Sequence, residues 1–311
     1  MKFAKKNRMK ILKKVIWSIL GILILSAIGG YIYFDQKFSP EKNYLTVKNE
    51  SGSVPFKWLG NEKNVLLLPI HFENDTTKYY LQFDTGSPYT VFYSNPIKNI
   101  RQISLKNDVA ATSFTIGKTK VSSSNFKIYK SSADNDNKSL KIIGTIGADI
   151  LENRKTIINF KQNYISLNLS KTPSSFQSKT FDFKFKKRKI IFDGFLKGKE
   201  GNFLYDSGSS AYELLTNKEV WQELKQTNSK INIEKSQSWD HILTTYTANC
   251  TQKIQIGNCK IPLNKVTYVE GYSQTQYYMM KFSGMTGMLG NRLFLNNILY
   301  IDCTQNKAGI E

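Results

Sequence analysis

Phe83-Asp84-Thr85-Gly86-Ser87 and Tyr205-Asp206-Ser207-Gly208-Ser209 are two copies of one short stretch, set 122 residues apart in a chain of 311. Each copy ends an apolar run: Leu81 and Phe83 precede Asp84, and Phe203, Leu204 and Tyr205 precede Asp206. An Asp at the end of an apolar strand is an ionisable group held at the lip of a core. The Thr or Ser beside it adds a hydroxyl, and the Gly lets the backbone turn tightly and bring N–H groups to the carboxylate. Two such loops facing each other place two carboxyls around one water. Repulsion between like charges then keeps one carboxyl protonated while the other is ionised, which is a general acid and a general base in one unit.

Working outward, the stretches around the two copies repeat as well. Gly117 pairs with Gly257 at an offset of 140, and Gly147 with Gly290 at 143. The jump from 122 to 140 locates an 18-residue insertion in the second half, near 217–245. Lys218 to Lys225 within it has helical spacing, with Thr216 or Asn217 as its cap. In the first half, Val65–Phe72 and Lys78–Phe83 read as a hairpin that delivers Asp84. Tyr89–Tyr93 reads as a strand, Ser113–Ile116 with Thr119–Val121 as a second hairpin, and Asn125–Tyr129 as a further strand. A polar loop spans Ser131–Ser139. Ile142–Gly147 leads into a short helix over Ala148–Asn153, and Thr156–Phe160 with Tyr164–Leu167 closes the half. The second half repeats this order from Lys189–Leu196 and Asn202–Tyr205 onward.

With two Asp-Thr/Ser-Gly-Ser motifs on one chain, the sequence resembles the pepsin and retropepsin-like aspartic peptidases, over about residues 61–310. In those families an apolar-apolar-Gly tripeptide packs beside each Asp loop. Thr145-Ile146-Gly147 and Met288-Leu289-Gly290 stand in that place, with Thr145 a departure. The resemblance implies an all-β fold of two similar lobes with a cleft between them. It implies that Asp84 and Asp206 are catalytic. It also implies that Gly86 and Gly208 donate backbone N–H groups to the carboxylates, that Thr85 and Ser207 cross-link the loops, and that Ser87 and Ser209 bond the outer oxygens. Peptide or protein is then the substrate, and no cofactor is required. The alternative is a catalytically weak or inactive peptide-binding module that keeps the fold. Relatives close a Tyr-bearing hairpin over the substrate. Between Ser94 and Ile128 this chain has no Tyr, so closure falls to Ile103, Leu105 and Val109, or to Tyr246 and Trp239 of the second lobe.

The N-terminus adds a different signal. Residues 1–14 are basic, with Lys2, Lys5, Lys6 and Arg8 among them, and hold no acid. Val15 to Phe34 is then 20 residues without a charge, long enough to cross a bilayer as a helix, and Trp17, Tyr31 and Tyr33 lie near its ends. The basic flank predicts a cytoplasmic N-terminus and extracytoplasmic lobes. A cleaved signal peptide is the other reading, but Ser26-Ala27-Ile28 is a poor cleavage site.

The expected division is a basic tail 1–14, a transmembrane helix 15–34, and a stalk or lead-in strand over 35–60 that is a linker or a basic prosegment. An N-terminal lobe 61–170, a linker 171–180 and a C-terminal lobe 181–311 follow. Net charge is +20, but the lysines are scattered, so nucleic-acid binding is not supported. Only two His, His71 and His241, occur, with no Cys-x-x-Cys, which disfavours a metal site. Ser209 and Ser210 lack the Gly-x-Ser-x-Gly turn of a serine hydrolase. Cys250, Cys259 and Cys303 are expected as free thiols, and the protein as a monomer.

Overall fold

The computed structural model describes residues 20–26, 28–130, 140–238, 241–271 and 284–311. The chain divides into two units, residues 1–42 and 43–311. In the first, residues 20–26 and 28–37 are helical. Among the described residues, no helix is long and apolar enough to cross a membrane. The basic tail and residues 15–19 of the expected span lie outside the described residues, as do the polar loop 131–139 and Trp239.

The second unit is built from strands in three sheets. Among the described residues, the first sheet has nine strands. It runs in the order Thr46–Lys48, Thr119–Tyr129, Val91–Tyr93, Lys141–Ile146, Tyr79–Phe83, Val65–Phe72, Val109–Ile116 and Ser104–Lys106, with Lys57–Leu59 paired to Val65–Phe72. Another sheet repeats the centre of this pattern with Lys189–Leu196, Lys199–Tyr205, Met285–Leu289 and Leu214–Thr216. In each sheet the strand that ends at an Asp runs parallel to the strand that ends at the matching Gly. Phe83 lies opposite Ile146, and Tyr205 opposite Leu289. A parallel neighbour needs a long crossover, here the whole middle of each lobe. Alternation sets the faces: Leu81 and Phe83, like Phe203 and Tyr205, are buried in the core. Phe72, Phe92, Phe114 and Phe126 pack edge-on or tilted at centroid distances of 5.1–6.3 Å and fill the first lobe.

Three expectations need correction. The hairpin Lys155–Asn159 and Tyr164–Ser166 does not close the first lobe by itself. It enters a third sheet, in which Ile298–Asp302 of the second lobe pairs with Lys155–Asn159 and Lys307–Ile310 pairs with Ile298–Asp302 in turn, so one sheet joins both lobes. The stretch 35–60 is not simply a stalk. Thr46–Lys48 pairs with Thr119–Tyr129, Val54–Pro55 with Tyr164–Ser166, and Lys57–Leu59 with Val65–Phe72. Gly52 lies between two of these short strands and Pro55 within one, so the stretch is a lead-in to the lobe rather than a linker. Finally, the short helix after Gly147 is a single 3-10 turn, Ala148–Ile150.

The insertion holds the helix Lys218–Leu224, capped by Asn217, whose side chain accepts from the Val220 N–H at 2.8 Å. It also lengthens a hairpin of Asn232–Ser238 against His241–Ile256. All three cysteines are free, and Cys259 lies opposite Ile256 in its hairpin.

Candidate active site

Asp84 and Asp206 each follow the last residue of a strand at the centre of its sheet. The Asp84 N–H donates to Ile146 O at 3.0 Å, and the Asp206 N–H to Leu289 O at 2.9 Å, so the repeat extends to the hydrogen bond. The loops interlock. The Thr85 N–H donates to Ser207 Oγ at 2.9 Å, and the Ser207 N–H to Thr85 Oγ1 at 2.9 Å. Each hydroxyl then donates across to the other lobe's strand: Thr85 Oγ1 to Tyr205 O at 3.1 Å and Ser207 Oγ to Phe83 O at 2.9 Å. Both residues are fully buried, so all four bonds are shielded from water.

This lock brings the carboxyls together. Asp206 lies close enough for its charge to act on the Asp84 carboxyl. A Cβ on Gly86 would lie 2.6 Å from Asp206 Oδ1, and one on Gly208 would collide with the Asp84 carboxyl, so only glycine admits the opposite acid. Gly86 N donates to Asp84 Oδ1 at 2.9 Å and Gly208 N to Asp206 Oδ1 at 2.8 Å. Burial, then the neighbouring Asp206 charge, push the Asp84 carboxyl up to about 7.

The outer serines do not behave alike. Ser209 Oγ donates to Asp206 Oδ2 at 2.8 Å. The Ser87 hydroxyl donates instead to Tyr89 O at 2.9 Å, and Ser87 meets Asp84 only through its backbone N–H at 3.2 Å. The expectation that both hydroxyls bond outer carboxylate oxygens thus holds for one loop.

Further groups support the loops and were missed in the sequence. Asn291, fully buried, accepts from Tyr205 Oη at 2.6 Å and donates from Nδ2 to Ser207 O at 3.2 Å and Ser210 Oγ at 2.6 Å. Comparing the halves gives the available signal: Asn291 follows the repeat glycine Gly290, where the first lobe has only Ala148. In the first lobe the corresponding support is Asp149. Its carboxylate accepts from the Thr90 N–H and Oγ1, each at 2.7 Å, and burial pushes it up to about 6.

Of the groups expected to cover the cleft, Ile103 is buried and Leu105 is exposed on the hairpin Ser104–Lys106 and Val109–Ile116. Tyr246 stacks on Tyr268 at 4.5 Å. Among the described residues, no cluster of His, Cys, Asp and Glu could hold a metal ion.

No family model matches the sequence, and no curated protein matches it. Among solved structures, the aspartic proteinase from Irpex lacteus is similar at a TM-score of 0.50 and 11% identity, over 84% of this chain and 97% of that one. The chain has an aspartic protease-like fold.

Proposed function

We propose that the protein is an aspartic endopeptidase that hydrolyses peptide bonds with a water held between Asp84 and Asp206. The observation that carries this reading is the reciprocal lock of the two loops, which sets two carboxyls against each other with a raised Asp84. Asp206, with Ser209 Oγ and Gly208 N on its oxygens, takes a proton from the water. The water oxygen attacks the peptide carbonyl carbon while Asp84 gives its proton to the carbonyl oxygen. Collapse of the resulting gem-diol breaks the C–N bond, the proton on Asp206 goes to the leaving nitrogen, and Asp84 recovers its own. Thr85, Gly86, Ser207 and Gly208 hold the geometry, and the chemistry calls for no cofactor.

The substrate is peptide or protein, and the enzyme is a monomer whose one chain supplies both acids. A membrane anchor at 15–34 is supported by the charge-free run, and its orientation with the lobes outside by the basic residues before it. It is supported too by exposed Leu20, Ile22, Leu23, Ile24, Leu25, Ile28, Ile32 and Phe34 in the described helical residues, apolar on every side rather than along one stripe.

The test is cleavage of a mixed peptide pool by the full chain in detergent, with and without pepstatin, beside Asp84→Asn and Asp206→Asn. Wild type should cleave and be inhibited, and each variant should lose at least about a thousandfold in turnover. Equal cleavage by wild type and either variant sinks the assignment. Binding of peptides without cleavage by wild type favours the peptide-binding module.

A further inference from the structure

Strand alternation identifies what lies beside each acid. Along Tyr79–Phe83 the odd positions Leu81 and Phe83 enter the core, so Gln82 shares the other face with Asp84. Gln82 lies between Thr145 and the fully buried Leu67, and Thr145 lies opposite the buried Val91, so these four form one row on that face, with Gln82 and Thr145 its polar members. Two residues on from Val91, Tyr93 shares the face and its hydroxyl pairs with Thr145 Oγ1 at 2.8 Å. Gln82 is half-buried, and its amide has no hydrogen-bond partner among the described residues.

The same construction in the second lobe gives a different row. Phe203, Tyr205 and Leu289 enter the core, which leaves Leu204, Met288 and Leu215, mutually paired, on the Asp206 face. Ser209 Oγ lies 3.3 Å from Met288 Sδ and 2.8 Å from Asp206 Oδ2, so Met288 adjoins the acid. Leu204, Met288 and Leu215 are each half-buried, which leaves part of their surface uncovered.

The geometry points to a cleft floor with two chemistries. Beside Asp84, a subsite of Gln82, Thr145 and Tyr93 takes an uncharged hydrogen-bonding side chain. Beside Asp206, a subsite of Leu204, Met288 and Leu215 takes an aliphatic one. The inference rests on the peptidase reading and adds its substrate class: peptides with a polar residue on one side of the cleaved bond and an aliphatic residue on the other. The first row offers donors and acceptors but no formal charge, so an ionised side chain there loses water without gaining a partner. An aliphatic side chain there would leave the Gln82 amide buried and unpaired, which a polar one avoids.

The probe is a pool of short peptides randomised at two adjacent central positions. Peptides captured by Asp84→Asn are sequenced, and products formed by wild type are sequenced in parallel. The expected profile favours Asn, Gln, Ser or Thr over Leu by about tenfold at one position and Leu, Ile or Met over Asn at the other. Adding Gln82→Leu with Thr145→Val should turn the polar position aliphatic and leave the other unchanged. Selective capture with no cleavage by wild type supports the two subsites while removing the peptidase reading. Capture indifferent to polarity at both positions overturns the subsites, whatever wild type cleaves. If the double variant does not fold, the profile of Asp84→Asn alone decides.

Discussion

Gly86 and Gly208 are the residues on which the site turns, because each sits where the opposite carboxyl must pass. In Gly86→Ala the new methyl meets Asp206 Oδ1 at 2.6 Å, so the loops must separate. The expected outcome is loss of at least about a hundredfold in turnover, since an ångström of displacement at reacting groups costs that much. Cleavage kinetics check it, with circular dichroism showing that the lobes persist. At this scale the sequence was informative: the doubled motif named both acids, both glycines and the cross-linking hydroxyls. It could not say that the Ser87 hydroxyl turns to Tyr89 O while Ser209 stays on Asp206, because that choice is a side-chain torsion set by the loop that follows. Nor did the motif itself reveal Asn291, whose one signal is its place after the repeat glycine Gly290, where the first lobe has Ala148.

Among the elements, hairpins announced by alternation and turn residues were legible, as Val65–Phe72 with Tyr79–Phe83 shows. So was the inserted helix, because its cap is local. Asn217→Ala removes the acceptor of the Val220 N–H and should cost about 1 kcal/mol, read as a lower denaturant midpoint with turnover unchanged. An unchanged midpoint would mean that packing of Trp221 and Leu224 alone holds the helix. For strands of two or three residues such as Val54–Pro55 and Lys57–Leu59, a lead-in strand was legible in the sequence but their number and partners were not. They are too short to show a period, and pairing with distant strands, not propensity, makes them strands.

For the molecule as a whole, the internal repeat announced two lobes, but not the sheet that joins them, since that sheet arises from pairing between halves. A second tie is Arg188. Lys187 and Arg188, both with positive φ (53° and 59°), form the tight turn between Lys184–Lys186 and Lys189–Leu196. From there Arg188 is buried. It donates from Nε to Glu152 Oε2 at 3.1 Å and from Nη1 to Pro88 O at 3.2 Å, and its guanidinium lies 5.3 Å from the Tyr89 ring centroid. It thus holds the segment after the Asp84 loop from the opposite lobe. Arg188→Ala should destabilise the chain by about 1–3 kcal/mol, seen in chemical denaturation, and Arg188→Lys should recover only part, because one ammonium cannot reach all three partners.

In the proposed mechanism each lobe contributes one acid and the proton is shared only when the lobes are assembled, so its titration tests the account most directly. Asp84 is raised to about 7, so it carries its proton below that pH and loses it above. The profile of kcat/KM against pH should therefore fall about tenfold per unit above about pH 7, where the pair becomes doubly ionised. A profile that stays level to about pH 9 would contradict a shared proton between Asp84 and Asp206.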